Sequence, residues 1–359
     1  MPPPGSAPAV TSNVEENVPL APLTTFGIGG PARYFSAITA EGQIPAALEF
    51  ARRHQLPIFV LGGGSNILVS DAGFPGLVLA MRISGWQRNG GEVQVAAGQP
   101  WDDFVGWCVG QDLAGLECLS SIPGLVGGTP IQNVGAYGQE VAETITAVRV
   151  WDSTLGEIVE LGPQDCHFAY RSSRFNTTDQ GRFIVVAVRF GLRSGGAATV
   201  RYPEVKRRLP AVPTLSAVRT AVQAIRREKG MTIEAGQSGW GSAGSYFKNP
   251  ILTAAEYEDL VRGANLRRAE HPPLFAGTDG QTKTSAAWLI ERAGFGKGFR
   301  PAGRLGQPGP VGLSPHHALA LVNYGAARAA DIQALQQEIQ RAVKERFGIQ
   351  LEPEPIFVA

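Results

Sequence analysis

The sequence predicts an α+β protein of roughly two or three domains, at about 150 residues per domain. Short apolar runs typical of strands alternate with amphipathic segments of helical period, and glycine-rich loops separate them. The chain has 359 residues, of which 45 are glycine and 26 are proline, a composition that favours β-containing, loop-rich domains. With 43% hydrophobic and 18% charged residues, the chain can form packed cores and is not disordered.

The first half of the chain reads mainly as strands. A helix is expected over Gln43–Gln55, with Pro45 near its first position, and a second helix over Trp101–Val109. Strands are expected over Ile58–Leu61, Ile67–Val69, Gly91–Gly98, Thr146–Trp151, Glu157–Leu161 and Phe183–Leu192.

The second half reads mainly as helices. One helix begins near Leu215 and ends at Gly230, and another spans Ser285–Ala293. A long amphipathic helix is expected to begin with Asp331 as its cap and to stop at Gly348. The chain then reads as a terminal strand that carries two carboxylates, Glu352 and Glu354.

Charge and cysteine content narrow the class of protein. The net charge of +1 gives no reason to expect nucleic acid or an anionic membrane as a partner. The three cysteines, Cys108, Cys118 and Cys166, form no C-x-x-C pair, so we expect buried thiols in a reducing cytoplasm. The first ten residues lack the basic and apolar regions of a signal peptide, and no apolar run is long enough to span a membrane.

The stretch Leu61–Gly76 organises the chain. Three consecutive glycines, Gly62, Gly63 and Gly64, follow a buried strand, and Ser65 and Asn66 add side-chain donors. Glycine lets backbone N–H groups approach a ligand closely, and successive N–H groups form an anion site. We therefore expect a phosphate or pyrophosphate here. A tight hairpin is the alternative, and a Rossmann motif is not, because β-rich residues rather than a helix follow.

Three further loops are unusual. Ser120–Val141 contains so many glycines that an ordinary helix would be destabilised by about 1 kcal/mol at each, which favours a fixed loop around a ligand. Phe168–Phe175 (FAYRSSRF) is polar and aromatic, and is interpreted as the edge of an active site. Gly241–Pro250 (GSAGSYFKNP) is the third such loop.

Taken in order, these motifs resemble the UDP-N-acetylenolpyruvoylglucosamine reductase family. They are LGGGSNILVSD, IPGLVGGTPIQNVGAYGQEV with YRSSRF, and GSAGSYFKNP with a terminal LEPE. The resemblance runs from Leu20 to Glu354, and RYPEV around Tyr202 resembles the substrate-covering tyrosine loop of the longer, first subtype.

The resemblance implies a vanillyl-alcohol-oxidase-type, two-part FAD-binding module and an α/β substrate-binding domain. The first part is expected over residues 19–85, joined by the C-terminal strand 348–359, and the second over 86–212. The substrate domain is expected over 213–347, and residues 1–18 as a disordered tail.

The implied reaction is the NADPH-dependent reduction of UDP-N-acetylglucosamine enolpyruvate to UDP-N-acetylmuramate, a step of peptidoglycan precursor synthesis. FAD is expected to be bound non-covalently and to carry the hydride chemistry. A cytoplasmic monomer without membrane insertion is expected.

Three residues match the catalytic positions of the family. Ser245 matches the proton donor to C2 of the enolpyruvyl group, Arg171 the group that clamps its carboxylate, and Glu354 an orienting or alternative acid. The alternatives are a turn serine satisfying backbone at Ser245, Arg174 in place of Arg171, and Glu352 in place of Glu354.

The family motifs also assign binding residues. Those expected at FAD are Gly62, Gly63, Gly64, Ser65, Asn66, Ser121, Ile122, Pro123, Gly124, Gly128, Thr129, Gln132, Asn133, Gly135, Ala136 and Tyr137. The amides of Gln132 and Asn133 are suited to the donors and acceptors of a heterocycle. Those expected at the nucleotide or substrate are Tyr170, Tyr202, Arg226, Lys229, Asn249 and His317.

Some of these residues have plainer interpretations. Arg226 and Lys229 are equally well explained as a solvated helix end, and Tyr170 as packing. No metal is expected at His316 and His317, because adjacent residues on a strand point to opposite faces.

Two rival functions remain open at this point. One is a flavin oxidase of the same fold acting on a sugar or hydroxy acid. Such enzymes often attach FAD through histidine, and no histidine lies in the two flavin loops. The other is a flavin-binding protein without turnover, which the joint presence of Arg171, Ser245 and Glu354 disfavours.

Overall fold

The computed structural model describes residues 13–232, 241–263, 271–276, 281–303 and 307–359. Their contacts divide the chain into two compact units. Unit 1 comprises the described residues up to Pro19, together with Pro31–Gly64 and Phe74–Arg227. Unit 2 comprises Leu20–Gly30, Ser65–Gly73 and the described residues from Glu228 to Ala359.

The strands confirm the predicted mixture of elements. They are β1 (Val14–Pro19), β2 (Pro31–Ile38), β3 (Ile58–Leu61), β4 (Ile67–Val69), β5 (Phe74–Met81), β6 (Trp86–Asn89), β7 (Glu92–Ala96), β8 (Leu113–Ala114), β9 (Gly135–Ala136), β10 (Gln139–Glu140), β11 (Ile145–Asp152), β12 (Glu157–Leu161), β13 (Phe183–Gly191), β14 (Arg193–Ser194), β15 (Ile251–Leu252), β16 (Leu274–Ala276), β17 (Thr282–Thr284), β18 (Val311–Leu313), β19 (Leu321–Asn323) and β20 (Ile356–Val358).

The α-helices match the predicted ones closely, and two further helices, α3 and α5, are additional. They are α1 (Ile44–Arg53), α2 (Trp101–Gly110), α3 (Pro203–Lys206), α4 (Leu215–Glu228), α5 (Ala254–Gly263), α6 (Ala286–Arg292) and α7 (Ala329–Phe347).

Unit 1 contains two sheets that share one core. The first has the order β1-β2-β5-β3, and its β2, β5 and β3 run parallel. The second has the order β12-β11-β13-β7-β6 and is antiparallel throughout. Trp101 and Phe104 of α2 are fully buried in the core that both sheets contribute to. This core anchors the glycine-rich loops at the sheet edges.

Helix α4 belongs to unit 1, which corrects the boundary we expected at residue 213. Its apolar face, with Val218, Val222 and Ile225, packs against Cys118 and Val205. An amphipathic helix belongs to the unit that buries its apolar face. The residues of α4 up to Arg227 are part of unit 1.

The expected disordered tail is also too long. Val14–Pro19 forms β1 and pairs antiparallel with β2, from Val14 opposite Ser36 to Pro19 opposite Pro31. Pairing satisfies the backbone groups of this polar segment, so it needs few apolar side chains to be ordered. Residues 1–12 of the expected tail lie outside the described residues.

Unit 2 is built around α7. Its buried residues Ile332, Leu335, Ile339 and Val343 form a core with α6, β18 and β19. The terminal strand β20 begins at Ile356, later than expected, and pairs in parallel with β4. The segment that carries Glu352 and Glu354 therefore precedes this strand.

The start of α7 differs from the sequence prediction. Asp331 is not the cap residue; Arg328 is, and Asp331 accepts the backbone N–H of Arg328 at 2.8 Å. The carboxylate of Asp71, in the turn after β4, accepts the N–H groups of Ala329 at 2.8 Å and Ala330 at 3.2 Å. These contacts satisfy first-turn donors that have no partner inside the helix.

The cysteines are buried, as the sequence predicts. All three are free and buried, and burial raises the pKa of the Cys118 and Cys166 thiols to about 12. Within the described ranges, no helix is long and apolar enough to cross a membrane.

Replacing Asp71 by alanine should destabilise unit 2 by about 1–2 kcal/mol, because the first turn of α7 loses its acceptor. Asp71→Asn retains one acceptor oxygen and should lose less. Urea unfolding followed by circular dichroism measures both. Equal midpoints for Asp71→Ala and the unmodified protein would show that the cap contributes nothing.

Candidate functional site

The glycine loops of unit 1 lie against one another. A Cβ added at Gly63 would come within 2.6 Å of the Gly124 Cα, so these two loops approach too closely for side chains. At Gly62 and Gly128, by contrast, no described atom lies within 4 Å of such a Cβ. The fold itself does not require glycine at these two positions. Their open backbone fits a cofactor that approaches the chain closely, as FAD would.

Left-handed backbone marks the same loops. Ser121, Asn133, Tyr137 and Arg171 all have positive φ, between 43° and 60°. Such φ values are uncommon for residues other than glycine and cluster at functional sites. The predicted FAD loops and the predicted carboxylate clamp share this conformation, which also occurs at Asn17, Gln55, Asp112 and His167.

The Ser121 peptide is held from both sides. Its N–H donates to the Asp102 carboxylate at 2.5 Å, and its carbonyl accepts from Nε of Arg226 at 3.2 Å. Asp102 is fixed in turn by a two-point ion pair with Arg219, at 2.6 and 2.8 Å. Sequence analysis did not single out Asp102, because a carboxylate in the first turn of α2 is typical of helix starts in general.

Arg226 is no solvated helix end, which removes the plainer alternative for this residue. Only 9% of its surface is exposed, and burial lowers the pKa of its guanidinium. The guanidinium also donates a hydrogen bond to the Tyr137 hydroxyl, whose own pKa burial raises. The Tyr137 ring lies edge-on to that of Tyr202, with centroids 5.7 Å apart. Arg226 thus braces two predicted FAD-loop residues.

Asn133 makes its side-chain contacts within the protein. Its side chain is 1% exposed, and its Nδ2 donates to Oε2 of Glu140 at 2.7 Å and to the Ala169 carbonyl at 3.1 Å. Its Oδ1 accepts the Ala142 N–H at 3.2 Å. The amide is therefore engaged by the protein itself, whereas the sequence predicts that it binds a heterocycle.

Arg171 is distinguished from its alternative, Arg174. Arg174 pairs with Asp179 at 2.9 Å and donates to the Asp165 carbonyl, so it is structural. Arg171 instead donates from Nη2 to the Gly135 carbonyl at 2.8 Å, and its Cζ lies 5.3 Å from the centroid of the Tyr170 ring. Gly135 belongs to the predicted FAD loop, so unit 1 brings Arg171 and Tyr170 to that loop.

In unit 2, Ser245 is distinguished from a turn serine. The turn role is taken by Ser242, whose Oγ accepts the Gly244 N–H at 3.1 Å. Among the described residues the Ser245 hydroxyl makes no hydrogen bond, and the side chain is half-buried. Its neighbours Tyr246 and Phe247 are buried and fix the segment.

Glu354 also differs from its alternative, Glu352, in its contacts. The Glu352 side chain is 71% exposed and reaches Lys248 at 3.4 Å. The Glu354 N–H donates to the Tyr246 carbonyl at 2.8 Å, and its carbonyl accepts from Nδ2 of Asn66 at 3.2 Å. Unit 2 therefore brings Asn66, the residue after Ser245, and Glu354 together.

Unit 2 also contains three residues that are predicted to bind the substrate. Oδ1 of Asn249 accepts the Ala286 N–H at 3.0 Å, which fixes the start of α6. Lys229 follows α4 and is half-buried. His316 and His317 lie in the turn between β18 and β19, which corrects the expectation that they occupy a strand.

Ser65 belongs to unit 2, with Asn66. The remaining predicted FAD residues lie on the Ser120–Val141 loop of unit 1. Thr129 is buried, and its hydroxyl donates to the Val126 carbonyl at 2.8 Å. As predicted, Ser120–Val141 is a fixed loop, with 3-10 turns at Val126–Gly128 and Val141–Glu143 and the pair β9-β10. The others are Ile122, Pro123, Gln132 and Ala136, all half-buried.

Comparison with known proteins identifies the family. Residues 236–358 match the model of the UDP-N-acetylenolpyruvoylglucosamine reductase C-terminal domain, and residues 32–162 match an FAD-binding domain. The chain is 43% identical to the reductase of that name from Streptomyces avermitilis, over 95% of this chain and 94% of the relative. It is also 43% identical to the one from Thermobifida fusca, over 97% and 99%. The chain belongs to the UDP-N-acetylenolpyruvoylglucosamine reductase family.

A solved structure agrees with this assignment. The reductase from Thermus caldophilus superposes with a TM-score of 0.65 at 27% identity, over 97% of this chain and 100% of that one. The predicted α+β fold with an FAD-binding module is confirmed. This member of the reductase family is a flavin-dependent oxidoreductase.

Replacing Arg226 by methionine should weaken FAD binding about tenfold, since the loss of about 1.4 kcal/mol is typical when a charged donor is removed from a carbonyl. Methionine fills much of the same volume, so thermal stability should change little. Titration of the FAD-free protein with FAD, followed by fluorescence quenching, measures the affinity.

The neighbouring Arg227 is exposed, and Arg227→Met is the matched control. If both variants bind FAD equally well, Arg226 does not shape the cofactor loop.

Proposed function

We propose that this protein catalyses the NADPH-dependent reduction of UDP-N-acetylglucosamine enolpyruvate to UDP-N-acetylmuramate. The observation that carries the proposal is identity of 43–44% over nearly the full length of both chains to reductases named for this substrate. The proposal places the enzyme in peptidoglycan precursor synthesis, as a cytoplasmic monomer.

FAD, when bound, supplies the hydride that it takes from NADPH. The residues proposed to hold it are the glycine loop Gly62–Gly64 with Ser65 and Asn66, Ser121–Gly124, and the stretch Gly128–Tyr137. Within that stretch we propose that Asn133 supports the loop through its bonds to Glu140 and to the Ala169 carbonyl.

The substrate must gain a hydride at C3 and a proton at C2. Charge that develops at C2 spreads into the enolpyruvyl carboxylate, and a guanidinium beside that carboxylate stabilises it more in the transition state than in the ground state. We assign this role to Arg171. Its Nη2 bond to the Gly135 carbonyl orients the guanidinium, and the planar fork can bind both carboxylate oxygens.

Ser245 is assigned as the proton donor to C2. Its hydroxyl is not engaged by the turn, because Ser242 satisfies the Gly244 N–H. A serine hydroxyl is a weak acid and requires polarising neighbours. Glu354 is assigned to orient that network, since its backbone is tied to Tyr246, the residue after Ser245.

The nucleotide part of the substrate is assigned to Tyr170, Tyr202, Lys229 and His317. Arg226 and Asn249 are assigned indirect roles, because Arg226 donates to Ser121 and Asn249 accepts from Ala286. Tyr202 precedes α3, and its ring contacts the ring of Tyr137. Movement of the Tyr202 loop would therefore change the packing of Tyr137 in the predicted FAD loop.

Stopped-flow absorbance of the purified holoenzyme without oxygen tests the whole proposal. We expect NADPH to bleach the flavin band and the enolpyruvyl substrate to restore it. Bleaching without restoration by this substrate would leave an FAD enzyme and exclude the proposed reaction. A protein that cannot be reconstituted with FAD would contradict both.

Ser245→Ala should leave bleaching by NADPH nearly intact and slow the return of the flavin band by about 10²–10⁴-fold, because only the second half-reaction needs a proton at C2. Ser242→Ala, three residues before Ser245, is the matched control. It should change the rate of each half-reaction by no more than a few-fold. Equal losses in both half-reactions would exclude Ser245 as the proton donor.

A further inference from the structure

Alternate residues of the predicted FAD loop bind the turn that carries Arg171. The Ile131 carbonyl accepts from Oγ of Ser173 at 2.6 Å, and Nδ2 of Asn133 donates to the Ala169 carbonyl at 3.1 Å. The Gly135 carbonyl accepts from Nη2 of Arg171 at 2.8 Å. Three hydrogen bonds thus join the two segments, and the bond from Asn133 lies between the other two.

The turn itself is narrow. Ala169 and Ser172 exchange both backbone hydrogen bonds, at 3.0 and 3.1 Å, so Tyr170 and Arg171 form its tip. Arg171 has left-handed backbone with φ of 53°, a conformation that persists only when its surroundings hold it. The Ala169 carbonyl that Asn133 binds lies at the base of this tip.

Asn133 is committed to this contact. It is 1% exposed, and its amide also binds Glu140 and the Ala142 N–H. With φ of 43° it is itself left-handed, a region that asparagine tolerates better than most residues. Gly135 must stay small, because a Cβ there would lie 2.8 Å from Cγ of Glu140 and 3.3 Å from Nη1 of Arg171.

We propose that Asn133 is a positioning residue that sets the Arg171 guanidinium by holding the 169–172 turn against the FAD loop. The inference rests on the carboxylate-binding role assigned to Arg171 under the proposed function. It gives the asparagine a role in substrate reduction rather than in recognition of the cofactor. Asn133 touches neither substrate nor cofactor in this role.

Asn133→Gly tests the inference because glycine keeps the left-handed backbone and removes the side chain that holds the turn. We expect FAD affinity and reduction by NADPH to stay within about threefold, while reoxidation by the enolpyruvyl substrate slows about 10–100-fold, as misplacement of a clamp by about 1 Å does. Calorimetric titration of the oxidised holoenzyme should show weaker substrate binding. Glu160→Ala, a carboxylate on β12 in a surface ion pair, is the control.

A double-mutant cycle separates positioning from general loss of structure. In the Arg171→Ala background, Asn133→Gly should slow reoxidation little further, because the group that it positions is gone. Fully additive losses, or a loss of FAD affinity equal to the loss of rate, would overturn the inference. Glu140→Ala removes one partner of the same amide from a half-buried position and should act in the same direction if Asn133→Gly does not fold.

The cycle also distinguishes this inference from the proposed function. If Arg171→Ala leaves reoxidation unchanged, the role of Arg171 fails. If Arg171→Ala slows reoxidation and neither Asn133→Gly nor Glu140→Ala does, only the inference about Asn133 fails.

Discussion

Left-handed backbone at residues that carry side chains is the constraint on which the unit 1 site depends. Each such residue costs roughly 1–3 kcal/mol, so Ser121, Asn133, Tyr137 and Arg171 hold their conformations only because other groups fix them. Ser121 is fixed by Asp102 and Arg226, and Arg171 by Gly135. The conformational cost is offset inside the protein before a ligand binds, which leaves the loops organised in advance.

Unit 2 places its functional groups by a different means. Glu354 is held by its backbone, between Tyr246 on one side and Asn66 on the other. Because β20 pairs with β4 directly afterwards, the register of two short strands sets the position of the carboxylate. Glu354 is thus positioned through its backbone, whereas the Arg171 guanidinium is positioned through its own hydrogen bond.

The sequence predicts the elements and the loops well because both have local signals. Helical period gave α2, α4 and α7, and clustered glycine gave the loops. It gives less where a role depends on which way a polar side chain faces. Asn133 and Asn249 are predicted to bind ligands, and in the structure both side chains bond to the protein, while Arg226 is buried one residue before the exposed Arg227. Residue type and spacing cannot show the direction in which a side chain points. The domain boundary after α4 depends on packing between segments that are distant in sequence.

The burial of Arg226 follows the same logic as the left-handed loops. Withdrawing a guanidinium from water is costly, and well-packed apolar side chains often serve stability equally well or better. An arginine 9% exposed is therefore explained poorly by the stability of α4, whose apolar face already packs against Cys118 and Val205. It is explained by what its donors reach: the Ser121 carbonyl near one end of the Ser120–Val141 loop and the Tyr137 hydroxyl near the other. The buried charge is thus a means of fixing loop geometry at the expense of some stability.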